Sequence, residues 1–404
     1  MKKRKLIWIS ISCFYLFTLN LALAETDADR LNRLEKEIQL LRSHQEKTSH
    51  LLQNTSDFFA KYNMRFYGRV KVDINYDTAE FKKYNDFIGP LGKDATNDSV
   101  NFNCRDVRFG LETSHTEGDL TVKGRIETDF YGDNNGDNLI PRMRLGYVDL
   151  IKNSTNTSLR VGQDWIPVAQ QNPATIDFGI LSTSGNLWWR VPQVTIRQKA
   201  GNFEFLLSAM RHRRKDTEEN DRMPWALGRI AYKFGKPGNL LALGGGYRNT
   251  NDYDNSGEDI TRTLAALEFK CTMGTVLVKA EGFWGEAIDN EFLRYDMGVN
   301  TSDPDNPDEI ESIGGFISVT ANISDEITLS AGYGIDDPDN DDMDGMKGTL
   351  NDRQFTKNSM MFLNSWYKLT KGLKTGAEII YAETERFSST DYGLHSTVSL
   401  FYNF

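Results

Sequence analysis

The chain of 404 residues has little histidine (five), little proline (10) and only three cysteines. So few cysteines exclude a disulfide-built scaffold, and the separation of Cys104 and Cys271 gives no reason to expect a bridge. His44, His50, His115, His212 and His395 form no cluster with metal-site spacing. None stands with serine and aspartate in a nucleophile pattern; His395 has Ser396 and Ser399 near it in sequence but alternates onto the opposite face from Ser396. No enzyme activity, cofactor, metal or nucleic-acid partner is expected. Beyond Ala24 there is no apolar run long enough to cross a membrane as a helix. Mean hydropathy is −0.52 and the formal net charge is −10. These values fit a soluble protein, and equally a membrane β-barrel, whose pore-facing residues interrupt every apolar one.

The beginning of the chain carries what the rest lacks. Lys2, Lys3, Arg4 and Lys5 precede an apolar stretch, Leu6 to Leu23, and Ala22-Leu23-Ala24 offers a small-x-small cleavage site before Glu25. This reads as a signal peptide over 1–24. An uncleaved anchor is the competing reading, which the Ala-x-Ala site and the abrupt polar switch disfavour.

Residues 25–62 hold a helical pattern. Leu31, Leu34, Ile38, Leu41, Gln45, Thr48, Leu52, Thr55 and Phe59 follow the three-and-four spacing of heptad a and d positions. In that frame Arg30 and Glu37 fall at g, Glu35 and Arg42 at e, so each g–e pair across a parallel coiled coil is opposite in sign. An amphipathic helix packed on its own domain is the alternative. Polar Gln45, Thr48 and Thr55 weaken the later seam, so Leu31, Leu34, Ile38 and Leu41 are the expected oligomerisation residues.

From Met64 the period becomes two. Phe66, Gly68, Val70, Val72, Ile74 and Tyr76 alternate with Arg65, Tyr67, Arg69, Lys71, Asp73 and Asn75. Leu120 to Phe130 repeats the pattern, and Tyr392–Phe404 ends the chain on a strictly alternating segment. Similar segments centre near residues 70, 108, 125, 146, 161, 196, 207, 230, 244, 266, 279, 317, 330, 362, 378 and 398. That predicts an all-β fold over 63–404, a transmembrane antiparallel β-barrel of about 16 strands preceded by an α-helical coiled-coil arm. Parity is mixed near 161 and 266. Short turns such as Thr116-Glu117-Gly118 and Thr370-Lys371-Gly372 alternate with long polar loops at 78–101, 166–190, 212–224, 286–311 and 336–354, each expected to be solvated. Asn340, Asp342, Asp344 and Gly345 brush against a calcium-loop spacing, but Asn351 stands where Glu is required.

Charge on the inward parity is the functional clue. Arg69, Lys71, Arg105, Arg108, Arg125, Arg144, Arg160, Arg190 and Arg197 are expected to face the lumen, where guanidinium forks favour anions. Ion-paired scaffolding with acidic neighbours such as Asp73, Asp106, Glu127 and Asp129 is the alternative. The loop between Asp164-Trp165 and Trp188 is rich in apolar residues for an exposed segment. It either folds inward as a constriction or clamps outside against a neighbouring subunit.

The cleavable leader, the heptad arm, Arg108-Phe109-Gly110-Leu111, the Gly162-Gln163-x-Trp165 step and the final Tyr402-Asn403-Phe404 together resemble the DcaP-like family of trimeric outer-membrane porins. The resemblance is strongest over 105–197. It implies a sixteen-stranded barrel, a homotrimer with a periplasmic coiled coil, and Tyr402 and Phe404 as an assembly signal. It further implies contact with outer-membrane lipid and lipopolysaccharide. A basic eyelet passing small anionic solutes such as dicarboxylates would lie near Arg108, Arg125, Arg144, Arg160 and Arg197. Asp164 sets a carboxylate beside that path. A structural barrel tethered through its coiled coil to the cell wall or a periplasmic partner is the second functional reading.

Overall fold

Segments that alternate apolar and polar residues must form a sheet with one face of each kind. If such a sheet is to leave no edge, it has to close on itself. In the computed structural model the described residues are 27–82, 87–93, 96–132, 139–213, 223–294, 297–346 and 355–404. They divide into two units at Tyr62 and Asn63. The signal-peptide expectation at 1–24 lies outside the described residues.

The first unit holds one helix, α1, Asp27–Lys61, with Lys61 in its last turn. Within it Leu31, Leu34, Ile38 and Leu41 are exposed, at 62%, 48%, 48% and 67%. The apolar stripe read from the heptad therefore lies open along the helix.

The second unit is built of β1 (Arg65–Asp77), β2 (Ser99–Asn103 and Arg108–Glu117), β3 (Leu120–Asp129), β4 (Arg142–Lys152), β5 (Thr157–Trp165) and β6 (Arg190–Ala200). There follow β7 (Phe203–Met210), β8 (Trp225–Lys233), β9 (Leu240–Thr250), β10 (Ile260–Met273) and β11 (Val276–Glu286). Last come β12 (Glu311–Asn322), β13 (Ile327–Pro338), β14 (Lys357–Thr370), β15 (Leu373–Glu385) and β16 (Thr390–Asn403). Both pieces of β2 pair with β1, so the 17 segments of the sheet make sixteen staves among the described residues. All sixteen segment centres expected from the alternation fall inside these strands.

The barrel closes where β1 meets β16, antiparallel from Arg69↔Asn403 to Asp77↔His395. Past the last ladder pair, Gly68 and Phe404 exchange two backbone hydrogen bonds of 3.1 Å. Val70, Val72, Ile74, Val398 and Leu400 point outward and exposed, while Lys71, Asp73, Asn75, His395 and Thr397 are buried inside. Outward aromatics gather at both ends of the staves. Phe203, Tyr232, Tyr367, Tyr402 and Phe404 lie toward the short turns, and Tyr76, Trp284, Tyr381 and Tyr392 toward the long connections.

Three differences from the sequence reading have physical causes. The mixed parity near 161 arises at Gly162, whose φ of +133° breaks the pleat, and a Cβ there would lie 2.2 Å from Gly146 O. Strand β2 resumes at Ser99, inside the expected 78–101 loop, because Val100 and Phe102 add an outward apolar pair along β1. The long connections are also not uniformly solvated. Phe81, Phe87, Ile88 and Leu91 are buried, the first and last two beside Phe316, Phe362 and Ile380, and Ile288, Phe292 and Leu293 pack with Trp225 and Phe283. Apolar residues scattered among Asp, Asn and Gly carry no period, so only their burial reveals them. Asn351 lies outside the described residues; Asp342 is spent on the neighbouring β12 terminus, its carboxylate accepting Glu311 N at 2.9 Å. Cys104 and Cys271 are free thiols.

Closure gives a direct test. A Cβ on Gly68 would stand 2.6 Å from Arg108 O and 2.5 Å from the Phe404 ring. Gly68→Val should cost roughly 1–3 kcal/mol, as overpacking does elsewhere. Denaturant unfolding of the refolded barrel followed by tryptophan fluorescence measures it, and Val70→Leu, on the open outer face, should change little.

Candidate functional site: cavities beside the arginines inside the barrel

The connection between β5 and β6 crosses the barrel interior. Its amides Ile176 N and Asp177 N each donate to the Glu378 carboxylate of β15 at 2.7 Å, and Leu187 N donates to Glu281 of β11 at 3.0 Å. Asn364 Nδ2 of β14 reaches Ala174 O at 2.7 Å, and Asn358 Nδ2 reaches Thr183 O at 2.6 Å. At the tip, Gly185 (φ +88°) lies so close to the inner wall that a Cβ would meet Gly315 O and Ile335 O at 2.2 Å. Ile166, Val168 and Leu187 fill an apolar cluster with Trp225, Leu227 and Phe283. Each such side chain contributes on the order of 1.5–3 kcal/mol of burial. Of the two placements open from sequence, the described residues take the inward one.

Glu281 and Glu378 of the far wall thereby accept loop amides, and open space remains along β1–β6. There the arginines are held by carboxylates. Glu127 is the hub: Arg144 Nε lies 2.8 Å from it, Arg125 Nη2 3.0 Å, and Arg108 Nη1 3.6 Å. Tyr67 Oη donates to Glu127 at 2.9 Å and accepts from Arg125 Nε at 2.8 Å. Asp129 holds Arg142 at 2.8 Å and Arg144 at 2.6 Å, and Asp106 holds Arg69 at 2.5 Å and Arg108 at 3.1 Å. Asp149 grips Arg160 through two bonds of 2.6 and 2.7 Å, and Asp164 takes its remaining nitrogen. Such forked, charge-assisted bonds fix each guanidinium plane. Arg160 also lies 3.9 Å above the Tyr147 ring.

Three cavities are strung along this wall. A vestibule of about 410 Å³ near the short-turn rim is lined by Arg65, Lys123, Arg125 and Arg160 with Glu112 and Asp149. It shares Arg125, Tyr147 and Arg160 with a central cavity of about 370 Å³, where Arg108, Arg125, Arg144, Arg160 and Arg197 face Glu127 and Asp164. That cavity shares Arg108, Arg144, Trp165 and Trp188 with a third of about 300 Å³ that reaches Arg69, Lys71 and Lys374. Cations outnumber carboxylates in every one.

The expected site residues are thus divided. Arg69, Lys71, Arg108, Arg125, Arg144, Arg160 and Arg197 line the cavities, as do Asp164, Trp165 and Trp188. Arg105 and Arg190 line none of the three. Arg105 is buried with Nη1 donating to Phe130 O, and Arg190 is stacked 4.7 Å from the Trp165 ring centre. Tyr402 and Phe404 face outward beside the short turns. His395, the one histidine near serines, is bound instead to Asp77 at 2.6 Å and Thr397 at 2.9 Å. Burial lifts the loop carboxyl Asp177 above its ordinary value despite the pull of nearby His395. Sequence reasoning missed Tyr67, Tyr147 and Lys374. The parity of β15, which puts Lys374 on the same face as inward Glu378, was the available signal.

No family model and no curated protein sequence matches the chain. Solved structures do. The outer membrane channel DcaP of Acinetobacter baumannii superposes with a TM-score of 0.74 at 20% identity, covering 84% of this chain and 97% of that one. A loop L8 deletion mutant of OmpT from Vibrio cholerae gives 0.54 at 16% identity, covering 84% and 99%. Salmonella typhi OmpF, in complex with daunomycin, gives 0.55 at 13% identity, covering 84% and 97%. At these identities the shared property is the fold: the chain has the barrel of DcaP and the porins.

Loop anchorage is testable without any assumption about transport. Glu378→Ala removes the acceptor of Ile176 N, Asp177 N and Asn364 Nδ2. Each stranded donor costs about 1–3 kcal/mol. Hydrogen exchange by mass spectrometry should show peptides spanning 172–186 exchanging at least tenfold faster, a factor equal to about 1.4 kcal/mol.

Proposed function

We propose that this protein is an outer-membrane porin, a passive diffusion channel for small hydrophilic solutes that leans toward anions. The observation that carries the reading is the excess of fixed cations over carboxylates in all three lumen cavities, on the side the loop leaves open. The apolar outer face and its two aromatic girdles suit a bilayer and its interfaces, with lipid and lipopolysaccharide as surroundings. The likeness to DcaP and OmpF supports a channel of this kind.

Selectivity follows from electrostatics alone. A unit charge about 4 Å from a passing anion contributes roughly 4 kcal/mol at an effective dielectric of 20, before hydration and salt screening are subtracted. A cation meets the same term with opposite sign. The carboxylates that orient the arginines keep the site from trapping its solute, since each guanidinium has a resident partner to return to. Asp164 is such a partner and tempers a preference for doubly charged solutes such as dicarboxylates. No energy coupling is required.

The open stripe Leu31, Leu34, Ile38 and Leu41 supports self-association of the 25–62 segment as a parallel coiled coil, with the homotrimer as the matching assembly. The segment enters β1, which starts at the short-turn rim, so a periplasmic arm is the fitting orientation. The same stripe also supports the tether to cell wall or periplasmic partner as a second reading. Deleting 25–60 separates them: a porin keeps its conductance and loses trimer stability, whereas a tether loses its bound partner.

Planar-bilayer recording in a potassium chloride gradient should give a reversal potential of the sign set by chloride. Arg125→Gln with Arg160→Gln, at the waist shared by vestibule and central cavity, should reduce the anion-to-cation permeability ratio about tenfold, equal to ~1.4 kcal/mol. A wild-type reversal potential set by potassium overturns the anion preference.

A further inference from the structure

We propose that Lys374 anchors a separate binding site for a compact oxyanion, carboxylate or phosphate, in the cavity of about 300 Å³ beyond the Arg108–Arg144 pair. The site rests on the reading of the barrel as an anion-leaning channel and adds a cation that the carboxylate-held arginines do not include.

The argument begins with a count of partners. Of the five cations lining this cavity, four are already bound. Arg69 and Arg108 hold Asp106, Lys71 holds Asp73, and Arg144 holds Glu127 and Asp129. Lys374 differs. Among the described residues no carboxylate lies within ion-pair distance of its ammonium, whose neighbours are two rings. Nζ stands 3.8 Å from the centre of Trp366 and 4.7 Å from that of Phe401.

Ring faces stabilise a cation through their quadrupole but leave its charge intact, and they displace part of its water. The ammonium therefore keeps a charge that no carboxylate neutralises, and the donors it does not turn to the rings remain for the cavity. Arg69 completes the arrangement. Its guanidinium lies 5.4 Å from the centre of the same Phe401 ring, and its Nε is buried with no hydrogen-bond partner. Lys374 and Arg69 come from β15 and β1, on either side of β16, which supplies Phe401 between them.

The ligand class follows from the same geometry. Lys374 lies against Trp366 and Phe401 and Arg69 against Phe401, so these rings serve the cations. What is left is a pocket with donors and positive charge, suited to a small group with several acceptor oxygens. The two carboxylates that line it do not compete strongly. Asp106 is committed to two arginines, and Asp177 Oδ1 accepts Gly179 N at 2.7 Å. Lys374 lies two residues after Gly372, near the short-turn rim, and its cavity shares Arg108 and Arg144 with the central one.

The test compares the wild-type protein with Lys374→Gln and Lys374→Arg in planar bilayers, titrating phosphate and, separately, acetate against a chloride current. The wild type should show concentration-dependent block by phosphate, by acetate, or by both. Lys374→Gln should raise the half-blocking concentration about tenfold, the size of one charge-assisted hydrogen bond. Lys374→Arg, which keeps the charge over the rings, should stay within about threefold, or ~0.7 kcal/mol. Heat-dependent gel mobility of each variant reports folding. A folded Lys374→Gln channel with wild-type block overturns the site, as does a wild-type channel that neither anion blocks. If the wild type is itself cation-selective, the parent reading falls and this site with it.

Discussion

Backbone hydrogen bonding across the seam of β1 and β16 is the constraint from which the other features follow. A sheet of sixteen staves with an apolar outer face cannot leave the N–H and C=O groups of two edges unpaired, least of all where water is absent. Closing them fixes the circumference, and a barrel of this size has a lumen too wide for wall side chains to fill. Chain from the loops must fill it instead. Any loop brought inside carries its own peptide groups, which need partners as much as the strands do. The β5–β6 connection finds them in Glu281, Glu378, Asn358 and Asn364.

That solution divides the charge of the interior. Carboxylates on β11 and β15 turn toward loop amides, while those on β2–β5 turn toward arginines. Only the second set lines the three arginine-rich cavities. A net acidic chain can thus enclose cavities with more cations than carboxylates, because its formal charge of −10 includes the carboxylates of the loops. Overall charge says little about the field inside the barrel.

Much of the barrel was readable in the residues. Strict alternation in Arg65–Tyr76 and Tyr392–Phe404 is a direct consequence of a two-faced wall, and these two segments meet at the seam. Arg108, Arg125, Arg144 and Arg160 were readable for the same reason, each falling on the inward parity. What escaped has no period. Arg105 and Arg190 share the right residue type, yet their surroundings bury them, and burial is decided by loops that fold over the wall from distant parts of the chain. Phe81, Ile88 and Leu91 sit in a stretch whose composition says solvent, and they are buried against β12, β14 and β15. The value of Lys374 lies in what surrounds it, two rings from strands β14 and β16, and pairing across strands is where local pattern ends.

The way the inner loop is moored has a consequence for change over time. Its key contacts use peptide N–H groups as donors and wall carboxylates as acceptors, so they do not depend on which side chains the loop carries at those points. Loop residues that line the cavities can then be exchanged with these moorings to the wall intact. A family built this way could retune what it admits by substitution along one short segment while its wall and seam stay constant. The passage would behave as a replaceable insert in a fixed frame.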